Sequence, residues 1–531
     1  MEKHTLIAVV LCLLILVLYQ EWLGRRYSTP PPSPQAERKL KEEAHPAPRP
    51  RETQVRRPAP QSLKEIRVET DHYVATFTNR GARLKSLFLK HYRASADKKS
   101  PPLEMISSAT GVPYPLGIQL NSPQPFNDEG LIYSVQGASL KLTGNGQGTL
   151  LFQARTPSGA ELIKKFSFVG SSYPIGLEIS LTGADASTAP ALLLSSEGNP
   201  KGSAGDAAFE GFLALVGKKV LREPVEEIKK GKEITGPIRW VGFGYTYFLF
   251  SALPEGEEEQ GVVVRQEGPA LVAEIGGLSE ATAEKKSRYT LFIGPKDLDV
   301  LKSLDKELER SLDFGYLGFI SLPFLHALRF SHRFTSSYGI DIILLTLLIK
   351  LITAPLTHKS SVSMKQMQKL QPQMERIKEK FKDDREQLNK EITELYRRNK
   401  LNPLGGCLPM LIQFPVFIGL YYALFTPIEL RHASFLWVQD LSRPDWQSLP
   451  LTIAGWKLGI PILTLLMGAS MFAQQWMTPS AGDPNQRRLM LIMPVAFTAM
   501  FVTFPAGLTI YWLVNNILSI GQQYLVNRME H

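Results

Sequence analysis

Two patterns of hydrophobic positions divide this chain. Long apolar runs occur at Leu6–Tyr19, Ile340–Leu356, Leu404–Phe425, Leu458–Met477, Leu489–Phe504 and Gly507–Val526. Several approach the roughly 20 residues that cross a bilayer, and amphipathic flanks extend the shorter ones. Between the first run and the rest, the pattern shortens to strand-length segments: Ile66–Phe77, Ala82–Leu89, Glu161–Phe168, Tyr173–Leu181, Trp240–Leu253, Gly261–Arg265 and Arg288–Ile293. Gly, Pro and Asn separate them, and Asn79-Arg80-Gly81 reads as a turn. The pattern predicts a six-span α-helical membrane protein carrying a large all-β sandwich.

The expected organisation follows. Residues 1–26 form a signal-anchor span, and 27–60 a linker with nine prolines and almost no large apolar residue, which cannot bury enough surface to order itself. Residues 61–296 form the β-domain. Residues 297–337 are amphipathic interfacial helices: Asp297–Leu312 places Leu298, Leu301, Leu304, Leu308 and Leu312 at helical spacing, and Phe314–Phe330 is interrupted by Pro323. The second span takes 338–357, a helical hairpin 358–403, and spans three to six 404–531.

The hairpin sets the topology. Thr357–Pro403 carries twelve Lys/Arg against seven Asp/Glu, so it is cytoplasmic by the positive-inside rule. Met364, Met367, Leu370, Met374, Ile377 and Phe381 lie at helical spacing, as do Leu388, Ile392 and Leu395, with Asp383-Asp384 as the turn between. The methionines suit either the hairpin core or an adaptable surface for apolar partners. A cytoplasmic hairpin places the β-domain outside and the N-terminus inside. Arg25-Arg26 opposes this locally, whereas Arg487-Arg488 and Arg528 agree with it.

Composition narrows the chemistry. The chain has 531 residues, a net charge of +10 and a mean hydropathy of −0.08. The basic residues cluster beside the spans, which favours lipid headgroups or a ribosome over specific nucleic-acid contact. Cys12 and Cys407 both fall in apolar runs, so neither a disulfide nor a metal site is expected. Without a small-residue cleavage site the first span reads as uncleaved. Phosphate-loop, zinc-protease and nucleophile-elbow motifs are missing; Gly217-Lys218-Lys219 lacks the spacing and the hydroxyl. No enzyme and no cofactor are expected.

Lys350 is the one charge deep in these spans, about 15 Å from the start of its helix. A cation there costs about 2.5–3.5 kcal/mol. Asp341, nine residues away, lies on the opposite helix face. Lys350 therefore either snorkels to the interface or faces a wet cavity. The last span carries Thr509, Asn515, Asn516, Ser519, Gln522 and Gln523, which are costly against lipid. Helical spacing groups Tyr511 with Asn515 and Gln522, and Trp512 with Asn516 and Ser519. Gln413 and Thr346 can join the same lining. Interhelical hydrogen bonding alone explains any one of these amides, but the set with Lys350 favours a hydrophilic cavity. The fifth run, from Leu489 to Phe504, is by contrast a Met/Phe surface.

Asn402-Pro403-Leu-Gly-Gly-Cys407-Leu-Pro409, Gln413-Phe-Pro415-Val-Phe-Ile-Gly-Leu-Tyr421-Tyr422 and Phe504-Pro505-Ala-Gly507-Leu-Thr-Ile-Tyr511-Trp512 resemble the YidC-type bacterial membrane protein insertases. The likeness runs from about Phe314 to the C-terminus. The signal anchor and large exterior β-domain look like the Gram-negative form with a large periplasmic domain.

The resemblance implies a five-helix core with a groove open to cytoplasm and lipid, and a periplasmic domain of β-supersandwich type. It implies insertion, short-segment translocation and folding of inner-membrane proteins without nucleotide hydrolysis, with a chaperone role beside the secretion channel. Lys350, five positions before Pro355, falls where the family carries a basic groove residue, often Arg. Trp512 stands where many relatives place a second Tyr. The partners implied are nascent membrane proteins, the secretion channel complex, membrane lipids and, weakly, the ribosome, through the hairpin and the loop near Arg487-Arg488.

Overall fold

The computed structural model describes residues 62–529 except the segments 108–111, 123–124, 186–187, 197–208, 257–259, 278–283, 383, 400–407, 449, 454–455 and 478–483. The expected first span and linker, with both cysteines, lie outside the described residues. One compact unit holds the strands up to Lys296 and takes in Val300–Ser311. The other holds Asp297–Asp299 and the chain from Leu312.

In the first unit, strands form three large sheets of five, nine and six. Pairing is antiparallel except for one short parallel match, Val68 with Leu140 and Glu69 with Lys141. Two expected strands prove to be hairpins. Ile66–Phe77 is split into Glu65–Glu69 and Tyr73–Thr78, and Trp240–Leu253 into Ile238–Tyr245 and Phe248–Pro254. Neither turn, Thr70-Asp71-His72 or Thr246-Tyr247, contains the glycine or proline that marks a break. Asn79-Arg80-Gly81 is a turn, with Gly81 at φ 70° and Ala82 at φ 45°. Phe248–Pro254 is buried at every position, as expected where both faces of a strand are covered.

Aromatic and polar contacts join the sheets. Phe77 of the five-stranded sheet packs 4.8 Å from Phe166 of the nine-stranded sheet, centroid to centroid. The Ser196 and Tyr245 hydroxyls, from the six- and nine-stranded sheets, lie 2.7 Å apart.

A buried ionic hub ties the three sheets together. The Asp128 carboxylate accepts from Lys164 at 2.6 Å, Arg83 at 3.1 Å, Tyr133 at 2.9 Å and the Ile118 backbone N–H at 2.9 Å. Arg83, Lys164 and Ile118 each belong to a different sheet. Lys164 also donates to the Gly81 and Leu116 carbonyls. Burial pushes the Lys164 ammonium down to about 8, against the opposing pull of Asp128.

The expected helix over Asp297–Leu312 is interrupted. A short helix covers Leu298–Lys302 and a 3-10 turn covers Leu308–Ser311. Between them Asp305 and Glu307 adopt φ of 50° and 54°, left-handed backbone that an α-helix does not accommodate. Leu298, Leu301, Leu308 and Leu312 are nonetheless buried.

The second unit contains eight helices among the described residues: α1 (Gly318–Thr335), α2 (Tyr338–Lys369), α3 (Gln371–Lys380), α4 (Arg385–Arg398), α5 (Leu408–Phe425), α6 (Ile462–Met477), α7 (Pro484–Phe501) and α8 (Ala506–Met529). Of the described helices, α2 alone is long and apolar enough to cross a membrane by length and composition. Shorter apolar stretches occupy Leu411–Phe425 and Ile492–Phe501. The expected Leu458–Met477 run departs from helix only at its start: Leu458 and Gly459 end a β-hairpin, Pro450–Ile453 paired with Trp456–Gly459. The helix begins only after Pro461, which offers no N–H for continuing the strand pairing. Residues from α2, α5, α6 and α8 build one core, including Ile342, Leu345, Leu420, Met467, Leu508 and Tyr511.

α2 continues past its expected end into the hairpin region and breaks at Leu370, just before Pro372 in the first turn of α3. Asp384 caps α4 by accepting from the Gln387 N–H at 3.0 Å.

Candidate functional site

The site is assembled where α2 meets α8. α2 is rich in Leu and Ile but carries a hydroxyl series that satisfies itself within the helix. Thr346 donates to the Ile342 carbonyl, Thr353 to Ile349, and Thr357 to the Thr353 carbonyl at 3.2 Å. Such i−4 bonds let hydroxyls sit in an apolar helix without stranding a polar group. Pro355 removes one backbone donor within this stretch.

Asp341 is fully buried at the other end of α2. It accepts from Thr335 at 2.6 Å and pairs with His332 at 2.7 Å, both from the end of α1. The carboxylate nearest to Lys350 in sequence is thus committed elsewhere.

The Lys350 ammonium donates to the Ser519 hydroxyl at 2.7 Å, and Ser519 donates to the Asn515 carbonyl at 2.7 Å. One turn along the same seam, Thr357 and Gln522 share hydrogen bonds, and Gln522 also reaches the Ala354 carbonyl at 3.4 Å. Among the described residues no carboxylate pairs with Lys350.

Beside this seam lies a cavity of about 160 Å³, lined by Lys350, Thr353 and Thr357 of α2, Gln413 of α5, and Asn515 and Ser519 of α8. Gln413 donates to the buried Tyr511 hydroxyl at 2.7 Å, which fixes the amide at the cavity wall. Leu356 and Ile412 complete the wall, so hydroxyls, amides and one ammonium stand beside two aliphatic side chains. Such a lining suits water or the polar groups of a guest, and it contains no nucleophile–base pair.

The structure therefore gathers Lys350, Gln413, Asn515 and Ser519, with Tyr511 behind Gln413. It separates the other expected lining residues. Thr346 is buried in the core and bonded within α2. Asn516 is buried against α6, donating to Ser470 at 3.0 Å. Trp512 sits in an aromatic cluster, 5.3 Å from Phe417 and 5.3 Å from Phe501. Gln522 lies at the seam rather than in this cavity. Thr353 and Thr357, not singled out from the sequence, complete the lining; their spacing of three and seven from Lys350 places them on its face.

In the hairpin, Met374 is buried and its sulfur accepts from the Tyr396 hydroxyl at 3.1 Å, which is a core position. Met364 and Met367 are half-buried on the extension of α2. Large apolar side chains are exposed on α5 and α7: Leu411 and Phe414 on one, Ile492 and Val495 on the other. Phe417 and Phe501, 6.2 Å apart, join those two helices.

Residues 330–531 match a family model described as 60Kd inner membrane protein, and residues 65–327 match the YidC periplasmic domain. A membrane protein insertase YidC of Syntrophus aciditrophicus is 37% identical over 557 aligned residues, covering 99% of this chain and all of the relative. A second, from Pelobacter propionicus, is 38% identical over 495, covering 89% of this chain and 88% of the relative. An active YidC insertase crystal structure with its first transmembrane domain resolved overlays with TM-score 0.39 and 20% identity, covering 87% of this chain and 93% of that one; this overlay is too loose to carry weight. The full-length likeness to the two relatives and the two adjoining family matches agree: the chain belongs to the YidC family of membrane protein insertases.

Proposed function

We propose that the cavity at the α2–α8 seam is the intake of a membrane protein insertase that works without an enzymatic step. The observation that carries this reading is Lys350, an ammonium at a cavity of mixed polar and aliphatic lining, with a hydroxyl partner and, among the described residues, no carboxylate partner. A charge so placed is available to a guest. A short polar segment of a nascent membrane protein enters beside Lys350, and acidic groups on it meet the ammonium. Its apolar helix lies along the exposed side chains of α5 and α7. Transfer of that helix into lipid supplies the driving force, about 0.8 kcal/mol per buried CH₂.

The chain is an inner-membrane protein with a large all-β periplasmic domain, as its family membership establishes. The multi-pass topology belongs to the proposal and rests on the basic excess of the hairpin. With the hairpin cytoplasmic, a ribosome is met through the hairpin and the loop near Arg487-Arg488. Photocrosslinking from position 353 to a stalled nascent chain tests the intake directly. Adducts within the substrate's polar segment are expected. Adducts confined to its apolar helix contradict the assignment.

A further inference from the structure

A second cleft opens on the other side of the same seam. It has a volume of about 450 Å³, and its walls include Leu347, Leu351 and His358 of α2 with Ile517, Gly521 and Leu525 of α8. Lys350 borders both spaces. At 100° per residue, the residues lining the two spaces occupy faces about 110° apart on each helix. The cleft is therefore distinct from the polar intake, and its surface is predominantly hydrocarbon.

Length, width and charge limit what fills it. From Leu347 to His358 is eleven residues, about 16 Å of helix and about half of a bilayer's hydrocarbon core. A guest helix about 10 Å across and that long needs roughly 1,200 Å³, whereas a chain half as wide needs roughly 300 Å³. A narrow chain is taken up whole, whereas a helix would seat only one side in the cleft. At one end the cleft is flanked by basic residues: His358 lines it, and exposed Lys359 and Arg528 lie just beyond its lining residues in sequence. No Asp or Glu lines it among the described residues.

We propose that this cleft holds one acyl chain of an anionic phospholipid, whose phosphate lies beside His358 and Lys359. The occupant matches on three counts: one-leaflet depth, single-chain width and a negative headgroup at the end flanked by Lys359 and Arg528. A lipid held there seals the outer side of the seam that Lys350 and Ser519 close from within.

The test uses the full-length protein in nanodiscs of equal phosphatidylglycerol and phosphatidylcholine, with each lipid in turn carrying a photoreactive acyl chain. Phosphatidylglycerol is expected to label peptides 347–358 and 517–525 at least fivefold more than phosphatidylcholine does. His358→Glu lowers that preference. Gly521→Phe cuts labelling by both lipids at least fivefold, because a Cβ at Gly521 meets no atom within 4 Å and the ring extends into the cleft. Excess unlabelled phosphatidylglycerol, but not phosphatidylcholine, suppresses labelling of the unmodified protein, an arm that needs no variant to fold. Equal labelling by the two lipids, equal competition, or full labelling of Gly521→Phe overturns the proposal.

Discussion

The Lys350 ammonium donates to the Ser519 hydroxyl across 2.7 Å, and through that bond α2 and α8 share a cation without sharing a carboxylate. A serine neutralises nothing, so the positive charge remains available in the cavity. Converting the acceptor into a fixed counter-ion is therefore informative. Ser519→Glu is expected to reduce insertion of substrates with acidic polar segments several-fold while leaving neutral-segment substrates near the unmodified rate. Ser519→Ala loses only a net hydrogen bond, about 0.5–1.5 kcal/mol, and keeps insertion. Reconstituted vesicles with protease-protection readout compare the two; equal insertion by Ser519→Glu and Ser519→Ala contradicts the free-charge reading.

Tyr511 and Gln413 form the cavity's back wall through one 2.7 Å bond. Tyr511→Phe removes the acceptor and is expected to cost about 1 kcal/mol, read as a small fall in melting temperature in detergent. Gln413→Leu leaves the buried Tyr511 hydroxyl without that donor and makes the wall apolar. Its insertion defect should exceed that of Tyr511→Phe, although the two lose the same bond.

Close packing of α6 on α7 depends on Gly468, where a Cβ would stand 2.2 Å from the Thr498 hydroxyl. Gly468→Ala should destabilise the helical unit by about 1–3 kcal/mol. The partner change Thr498→Ala should recover part of that loss, a coupling that thermal unfolding of the four proteins of a double-mutant cycle measures. Strict additivity of the two changes contradicts the contact.

In the β unit, Asp128→Asn leaves Lys164 and Arg83 buried without their shared anion, and about 3–5 kcal/mol of stability should go with it. Combining it with Lys164→Met should restore a good part by removing one of the stranded charges. Hydrogen exchange of strand Glu161–Val169 reports the change locally.

Much of the candidate site was legible because helix periodicity is a local property. Lys350, Gln413, Asn515 and Ser519 were each identifiable as a polar residue in an apolar run, and they do meet at one cavity. The rotation of each helix against its neighbours was not legible. Asn516 follows Asn515 directly, yet it faces Ser470 of α6, and Trp512 turns into the Phe417–Phe501 cluster. Thr346, Thr353 and Thr357 all bond within α2, so residue type does not tell the two that line the cavity from the one buried in the core.

The fold shows the same division. Leu298, Leu301, Leu308 and Leu312 lie at helical spacing and are buried, but Asp305 and Glu307 turn left-handed, which polar residue types alone do not announce. The hairpin turn between Tyr245 and Phe248 is marked only by Thr246, with no glycine or proline in it. The Asp128 hub joins residues up to 83 positions apart in the chain, and no local pattern encodes it.

The most direct test of the central claim is insertion by Lys350 variants in vesicles containing no secretion channel, with paired substrates whose polar segment carries either two aspartates or two asparagines. The account predicts that Lys350→Ala lowers insertion of the aspartate substrate several-fold, spares the asparagine substrate, and is rescued by Lys350→Arg. Equal insertion of both substrates by Lys350→Ala, at the unmodified rate, contradicts it.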